Sequence, residues 1–434
     1  MFSSLRLYIS TTFSSAMDFF KLKTLLLISY LILELYYFNF ITDYFNHLGF
    51  VLNFNTLKYI VTKLIFLGFV LLSYFFYSRS HFLYVVYLII LLLFYIPNAI
   101  YFSFSNGNIA PFISNVLFVS IFAVSPYIKF NFPVLNLSDI SRKITLFILS
   151  IGLLIPLVLK FNISLNLNTL FLKDIYSTRE LFSEKLTGYL GYIYNFEVKT
   201  IIPIGIIYFL IKKNYKTVVL LIIALLYLYV ISGNKAVYFT TFIVLSFFFL
   251  GKDYITKIKF FFYILLALFL ISPILDFLFF EEPIFKGTFV NRLFFIPSLL
   301  TQWYFEFFEG KPFYFAESHF FNLFSKSPYD MPVGYLLTKI HWNEPTVFAN
   351  NGIVSDGFMN LGYFGVVLFS FIFATLFGIF NCFKLGAEYL GLFFSYIFIM
   401  LSAPLLTCFI TGGIVLFIVL YYTVLNESDS LNNH

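Results

Sequence analysis

About twelve long apolar runs dominate the chain and limit what it can fold into. Each run approaches or reaches the roughly 17–25 residues that a helix needs to cross a bilayer. The runs are 22–41, 57–77, 82–102, 110–127, 144–160, 198–211, 217–232, 236–250, 259–276, 358–380, 388–403 and 405–424. With 61% hydrophobic and 11% charged residues, the chain holds more apolar side chains than one water-surrounded core can bury. These features predict an all-α polytopic integral membrane protein with about twelve transmembrane helices.

Basic residues are distributed unevenly over the short segments between these runs. With a cytoplasmic N-terminus, the short outer loops carry only Lys58, Lys63 and Lys235, and the short inner loops carry about half of the 27 basic residues. Lysine and arginine favour the cytoplasmic side of a membrane, so both termini are predicted to be cytoplasmic.

The predicted organisation has five parts. They are the N-terminal spans (1–160), a first long outer loop (161–197), central spans with a break near 232–235 (198–276), a second long outer loop (277–357) and the C-terminal spans (358–434). Both outer loops are rich in aromatic residues, a composition that can pack rather than stay disordered. We interpret the run 289–308 as an interfacial or re-entrant helix, because charged and polar residues interrupt it.

Arginine is scarce, and its placement is informative. Five of the 27 basic residues are arginines, and each long outer loop holds one of them, Arg179 or Arg292. The planar guanidinium group grips phosphate or carboxylate with two parallel hydrogen bonds. Both arginines are therefore candidates for binding an anion. The alternative is an interfacial arginine that extends to lipid headgroups.

The break SGNKAVY between two central spans contains Asn234 and Lys235. Broken helices at membrane depth expose backbone N–H groups that suit an anion. The alternative is a tight outer turn with a solvated lysine.

The second outer loop holds the remaining candidates for proton transfer. His319 could act as a base or an orienting group, or it could be structural; Glu317 and Asp356 are among the loop's carboxylates. The histidines, acids and two cysteines show no metal-ligand spacing, and no nucleotide-hydrolysis motif is present, so neither a metal nor a cofactor is predicted. The basic residues lie in short loops between apolar runs, which argues against a nucleic-acid partner.

The loop enters the last group of spans through NGIVSDGFMNLGYFGVV, residues 351–367. Ser355 or Asp356 is predicted to cap a helix that starts near Gly357. Gly362 and Gly365 are predicted to form a stripe of small residues for close helix packing.

The same segment is predicted to form the rim of a site. Asn350, Asn351, Asp356 and Asn360 are expected to project into one pocket with Arg292.

Four segments in a fixed order carry a likeness to a known family. They are DIYSTRELFSEKLTGYLGYIYNFEVKTIIP (174–203), VISGNKAVYFTTFIVL (230–245), NRLFFIPSLLTQWYFEFF (291–308) and PVGYLLTKIHWNEPTVFANNGIVSDGFMNLGYFGVVL (332–368). Together they resemble the bacterial O-antigen or capsule repeat-unit polymerases (Wzy-type). The likeness covers most of 174–380, and the order of the segments is its stronger signal.

The resemblance implies an integral-membrane glycosyltransferase in the bacterial cytoplasmic membrane. It would transfer a growing glycan en bloc from undecaprenyl diphosphate to a lipid-linked repeat unit at the outer face. The implied partners are undecaprenyl-diphosphate-linked oligosaccharide, membrane lipid, a chain-length regulator and a repeat-unit flippase.

The resemblance also implies roles for the candidate residues. Arg179, Arg292 and Lys235 would hold the donor diphosphate and stabilise its leaving charge. His319 or a loop carboxylate, Asp356 or Glu317, would activate the acceptor hydroxyl. The remaining candidate substrate contacts are Asn234, Tyr176, Asn351, Asn360 and Trp303.

Three alternatives stay open. An O-antigen ligase shares the donor lipid and the large outer loop. A flippase or transporter predicts more charged residues inside the spans, where Glu34 is the clearest example. A structural partner in an envelope complex gives no reason for the placement of the arginines.

Overall fold

The computed structural model describes residues 2–131, 135, 137–162, 167–170, 175–186, 188–280, 283–318, 326–383 and 385–426. Over these residues the regular secondary structure is helical throughout, which confirms the predicted all-α class. The helices are α1 (Phe2–Tyr36, continued by Tyr37–Ile41 and Thr42–Tyr44), α2 (Thr56–Tyr77), α3 (His81–Phe104), α4 (Ile109–Tyr127), α5 (Asp139–Phe161), α6 (Leu167–Leu170), α7 (Ile175–Lys185), α8 (Tyr189–Ile211), α9 (Tyr215–Ser232), α10 (Lys235–Phe249), α11 (Tyr254–Phe279), α12 (Lys286–Phe295, continued by Ile296–Phe307), α13 (Val333–Trp342), α14 (Ile353–Asn381), α15 (Ala387–Ser402) and α16 (Leu405–Leu425).

Each of the predicted spans coincides with a helix in the described residues. Within the described residues, ten helices are long and apolar enough to cross a membrane, and α10 and α15 are shorter apolar helices. A chain with this many apolar helices is a multi-pass membrane protein, because only hydrogen-bonded helices or closed barrels satisfy the backbone in lipid. The number of crossings and the side on which the termini lie stay predictions.

Short polar connections divide the apolar runs into separate helices. Five polar residues each precede a helix, and each side chain accepts a hydrogen bond from a backbone N–H two or three residues further along. They are Asn55, Ser80, Asn108, Asn214 and Asn234. Such caps satisfy N–H groups that have no partner inside the helix. The sequence therefore fixes several helix starts locally.

The chain divides into two compact units. Unit 1 comprises Met1–Lys129, Tyr254–Asn381 and Met400–Leu405. Its core is α3, whose apolar window is entirely buried. By contrast, α2 and α11 expose large apolar side chains such as Leu71 and Phe277. Outward apolar side chains suit lipid, which is as apolar as they are.

Unit 2 comprises Phe130–Asp253, Cys382–Ile399 and Leu406–His434. Its most buried long helix is α8. The Arg142 side chain on α5 donates a hydrogen bond to the Asn426 carbonyl at 3.0 Å, which ties the start of α5 to the end of α16. At the same end of α5, Asp139 pairs with Lys143 and Lys212 at 2.6 and 3.0 Å.

Candidate functional site

The helix that carries Asp356 is broken at Gly362. Gly362 has φ 62° and ψ −148°, a backbone conformation in which glycine avoids the strain of a side chain. On the two sides of the break, Gly357 and Gly365 approach so closely that a Cβ on Gly357 would lie 2.6 Å from the Gly365 carbonyl oxygen. The predicted stripe of small residues is therefore corrected: Gly362 provides the break, and Gly357 pairs with Gly365 across it.

Asp356 lies in the buried arm before this break. The predicted helix start near Gly357 is wrong, since α14 begins at Ile353 and Asp356 belongs to its first turn. The Ser355 hydroxyl donates back to the Gly352 carbonyl at 3.1 Å instead of capping the helix. Neither residue therefore acts as the predicted cap.

The Asp356 carboxylate is engaged on both oxygens. Oδ2 accepts the backbone N–H of Leu405 at 2.7 Å, and Oδ1 accepts the Asn360 side-chain amide at 2.9 Å. The Asn351 amide is more distant, at 3.5 Å from Oδ1. Asp356, Asn351 and Asn360 are all at most 3% exposed. This arrangement is a buried polar network that joins α14 to the start of α16.

The outer segment before α13 is fixed to the same arm. The backbone N–H groups of Phe313 and Tyr314 donate to the carbonyls of Met359 and Asn360 at 2.8 and 3.1 Å. The Phe315 N–H donates to the Asn360 side-chain oxygen at 2.7 Å. Asn360 therefore uses both ends of its amide to hold this segment and Asp356.

Glu317 has a backbone partner. Its carboxylate accepts the N–H of Val333 at 2.6 Å, at the first residue of α13. Desolvation by neighbouring atoms raises the pKa of Glu317, and the Val333 hydrogen bond opposes that effect. A carboxylate at a helix N-terminus is also favoured by the helix dipole.

Trp303 lies in a packed aromatic cluster. It is 5% exposed, and its ring stacks on the His341 ring with centroids 4.2 Å apart and planes 5° apart. Trp342 packs edge-on against Trp303 and donates its indole N–H to the Leu48 carbonyl at 2.9 Å. Burial lowers the pKa of His341. His341 thus covers one face of Trp303, the residue predicted to contact sugar.

Two further candidates of unit 1 are Arg292 and His319. Arg292 is exposed on α12, whereas Asp356 is buried, and a pocket shared by these two residues stays a prediction. His319 lies outside the described residues.

In unit 2, Arg179 lies against the break between α9 and α10. Its Nε–H donates to the Gly233 carbonyl at 3.0 Å, and Gly233 has φ 60°. A Cβ on Gly233 would lie 2.9 Å from the Ile175 carbonyl oxygen, so α7 approaches this turn closely. Asn234 caps α10, and Lys235 is exposed at its first residue.

Two hydroxyl groups reinforce the turn. Tyr194 donates to the Ser232 hydroxyl at 2.8 Å, and the same Ser232 oxygen accepts the N–H of Asn234 at 3.1 Å. The structure therefore adds Arg179 to the helix break that already contains Asn234 and Lys235 in the sequence. Tyr176 lies on α7, and its side chain is outside the described part.

Unit 1 contains two cavities that the sequence did not suggest. The first, of about 490 Å³, lies between the end of α1 and a wall formed by Pro273, Asp276, Phe277, Phe280, Pro283 and Lys286. Lys286 is 4.4 Å from the Phe40 ring centre, and the Asp276 carboxylate accepts the backbone N–H groups of Phe285 and Lys286 at 2.7 and 2.9 Å. The first cavity thus combines a cation with a fixed carboxylate.

The second, which we name the Tyr363 cavity, has about 300 Å³. It is lined by Asn108, Ala110, Phe305, Phe308, Glu309, Gly310, Lys311, Pro312, Phe358, Gly362 and Tyr363. Asn108 precedes Glu309 by about two hundred residues, so no local motif could have predicted this grouping. In the described part of the chain, no group of three or more His, Cys, Asp or Glu side chains is arranged to hold a metal ion.

Comparison with known proteins identifies no relative. No protein-family model matches the chain, and no curated protein or solved structure is significantly similar to it. The function is therefore argued from the chemistry of these sites.

Proposed function

We propose that this protein is an integral-membrane glycosyltransferase that joins undecaprenyl-diphosphate-linked oligosaccharide repeat units into O-antigen or capsular polysaccharide. The observation that carries the proposal is the cationic helix break of unit 2. Arg179 is held beside Gly233 by a 3.0 Å hydrogen bond, and Lys235 lies at the first turn of α10. Two cations and a helix N-terminus in one place suit a diphosphate.

The proposed chemistry uses this charge on the leaving group. The acceptor hydroxyl oxygen forms a bond to the anomeric carbon of the donor glycan while the bond from that carbon to the diphosphate oxygen breaks. The departing diphosphate takes the electron pair, and the positive groups at the break stabilise it. The hydroxyl proton passes to a general base, for which His319, Asp356 and Glu317 are the candidates from the sequence. No nucleotide sugar is consumed, in agreement with the lack of a nucleotide-binding motif in the sequence.

The experiment is a glycan ladder from a strain lacking the gene and complemented with variants. Arg179→Ala is expected to abolish long chains, while Arg179→Lys keeps the charge but loses the Nε hydrogen bond and gives an intermediate ladder. Arg292→Ala tests the second predicted arginine in the same way. Arg79→Ala, an exposed arginine in a short connection on the predicted cytoplasmic side, is the control. Long chains in both the Arg179→Ala and Arg292→Ala strains, at normal membrane levels, overturn the diphosphate assignment.

The phenotype of the deletion separates the proposal from a ligase. Loss of a polymerase leaves single repeat units on the surface, whereas loss of a ligase leaves none.

A flippase or transporter is a second candidate, favoured by charges inside the helices. Glu197 on α8 is fully buried, and neither of its carboxylate oxygens has a hydrogen-bond partner within the described residues. Glu34 on α1 pairs with Lys63 on α2 at 2.7 Å. Ionisable residues inside membrane helices commonly mark transport pathways. Lipid-linked units trapped at the cytoplasmic face of the deletion strain favour this candidate over the polymerase.

A further inference from the structure

The Tyr363 cavity is built from four separate parts of unit 1. Its wall is formed by Asn108 at the start of α4, Phe305 near the end of α12, the turn that contains Glu309, and the break at Gly362. Its volume of about 300 Å³ is at the lower end of the roughly 300–1,000 Å³ typical of small-molecule sites. The space suits a compact ligand and not a whole lipid-linked oligosaccharide.

One wall of the cavity is a fixed aromatic surface. Phe305 stacks on Phe358 with ring centroids 3.9 Å apart and planes 12° apart. Phe358 meets Tyr363 edge-on at 5.3 Å. Tyr363 is 55% exposed, which leaves ring surface available to a ligand. The electron-rich faces of such rings attract the weakly positive C–H groups of a ligand.

Charged side chains line the cavity from the turn after α12. Glu309 and Lys311 are both exposed there, on either side of Gly310 with φ 68°. The Glu309 carboxylate forms no hydrogen bond or ion pair with another described residue. Glu309 can therefore accept hydrogen bonds from a ligand, and Lys311 can donate them.

The combination selects one class of ligand. Glu309 and Lys311 together carry no net charge, so the cavity favours neither an anion nor a metal cation. A purely apolar molecule would leave both charged groups unpaired where it excludes water. A neutral sugar satisfies all three features, because its ring presents C–H groups on one face and hydroxyl groups at its edge.

We propose that the Tyr363 cavity is a saccharide-binding subsite, in which a sugar ring packs on Tyr363 and Glu309 accepts a hydrogen bond from a ring hydroxyl. The identity of the sugar as part of the acceptor repeat unit rests on the proposed function, whereas the binding of a saccharide does not.

Two other carboxylates of the same region are already engaged. Asp356 holds Leu405 and Asn360, and Glu317 holds Val333. This leaves Glu309 as a carboxylate that lines a cavity and keeps its acceptor capacity for a ligand. In the sequence, nothing distinguishes Glu309 from the other acidic residues of the second outer loop.

The test uses the purified full-length protein in nanodiscs and lipid-linked repeat units extracted from the deletion strain. Tyr363→Ala and Glu309→Ala are expected to raise the half-saturating concentration of these units at least about tenfold, with the maximal rate within about twofold. Tyr363→Phe keeps the aromatic face and is expected to stay near wild type. Tyr314→Ala and Glu344→Ala are matched controls, since both residues are exposed and neither lines the cavity.

A second measurement does not depend on catalysis. The free oligosaccharide, released from the same lipid-linked units by mild acid, should raise the melting temperature of the wild type and of Tyr363→Phe, because a ligand that binds the folded state stabilises it. Tyr363→Ala and Glu309→Ala should lose this shift while keeping the melting temperature of the ligand-free protein.

The two measurements separate the two ideas. If the wild type makes polymer but the variants match it in affinity and in the thermal shift, the subsite is wrong and the polymerase stands. If the wild type makes no polymer yet shows a thermal shift that depends on Tyr363, the polymerase is wrong and the subsite stands. A wild type that the oligosaccharide fails to stabilise overturns the subsite.

Discussion

Replacing Asp356 distinguishes a structural carboxylate from a catalytic one. Asp356→Ala removes the acceptor for two short hydrogen bonds, from the Leu405 N–H at 2.7 Å and from Asn360 at 2.9 Å. A hydrogen bond to a charged group contributes roughly 1.5–3 kcal/mol, and the Leu405 N–H would stay buried without its acceptor. The Asn360 amide would keep only its hydrogen bond to the Asp356 main-chain carbonyl, at 3.0 Å. We therefore expect Asp356→Ala to lower the free energy of unfolding by about 3–5 kcal/mol. The Asn351 amide, at 3.5 Å, adds little.

Asp356→Asn is the more discriminating variant. The amide keeps the shape and one acceptor oxygen, but its NH₂ group must face one of the two donors. The expected loss is about half of that for alanine, roughly 1.5–3 kcal/mol. Asp330→Asn and Asp330→Ala, at an exposed position, provide the control and are expected to stay within about 0.5 kcal/mol of wild type.

The assay combines denaturant unfolding of the purified protein in mixed micelles with the glycan ladder of the same variants. If the Asp356 carboxylate is structural, polymer length should decrease only in proportion to the loss of folded protein. The reasoning is refuted if Asp356→Asn unfolds like wild type but makes no polymer, because the carboxylate then acts in the chemistry. It also fails if both Asp356 variants are as stable as wild type.

Three further perturbations test other parts of the fold. Gly365→Ala should prevent normal folding, since its Cβ would overlap the Gly357 carbonyl. Gly68→Ala is the control and should be tolerated, because no atom lies within 4 Å of its added Cβ; yields and melting temperatures of the purified variants test both expectations. Glu34→Gln should destabilise by about 3–5 kcal/mol by leaving Lys63 without its partner, and adding Lys63→Met should recover much of the loss in a denaturant titration. Burial lowers the pKa of His341 in the folded protein, so the unfolded state binds more protons as the pH falls below about 6.5, and the free energy of unfolding should decrease there. A His341→Phe variant should lack this decrease in unfolding curves measured from pH 5 to 8.

The helices were predictable because their cause is local. A long apolar run in lipid has few alternatives to a helix, and polar residues such as Asn55 and Ser80 mark where the next helix begins. The start of α14 was not predictable in this way. Ile353 begins the helix four residues before the expected position, and the carboxylate expected to cap it is instead engaged by Leu405, 49 residues away in the chain.

The glycines show a second limit of sequence reasoning. Gly362 and Gly365 look alike in the sequence, yet one provides a positive φ and the other a contact with no room for a side chain. The candidate site divides in the same manner. The contact of Arg179 with the SGNK turn joins two segments that the sequence already indicated as candidates. Glu309 and Tyr363 become candidates only because the fold places Asn108 and Phe305 in the same cavity wall.

The link between Asp356 and Leu405 also imposes an order on biosynthesis. The ribosome completes α14 and most of α15 before it delivers residues 400–405, which are the last segment of unit 1. Until then, the Asp356 oxygen that binds the Leu405 N–H lacks that partner. In a nascent chain stalled before Met400, this network would therefore be incomplete, and it can form only after Leu405 has been synthesised.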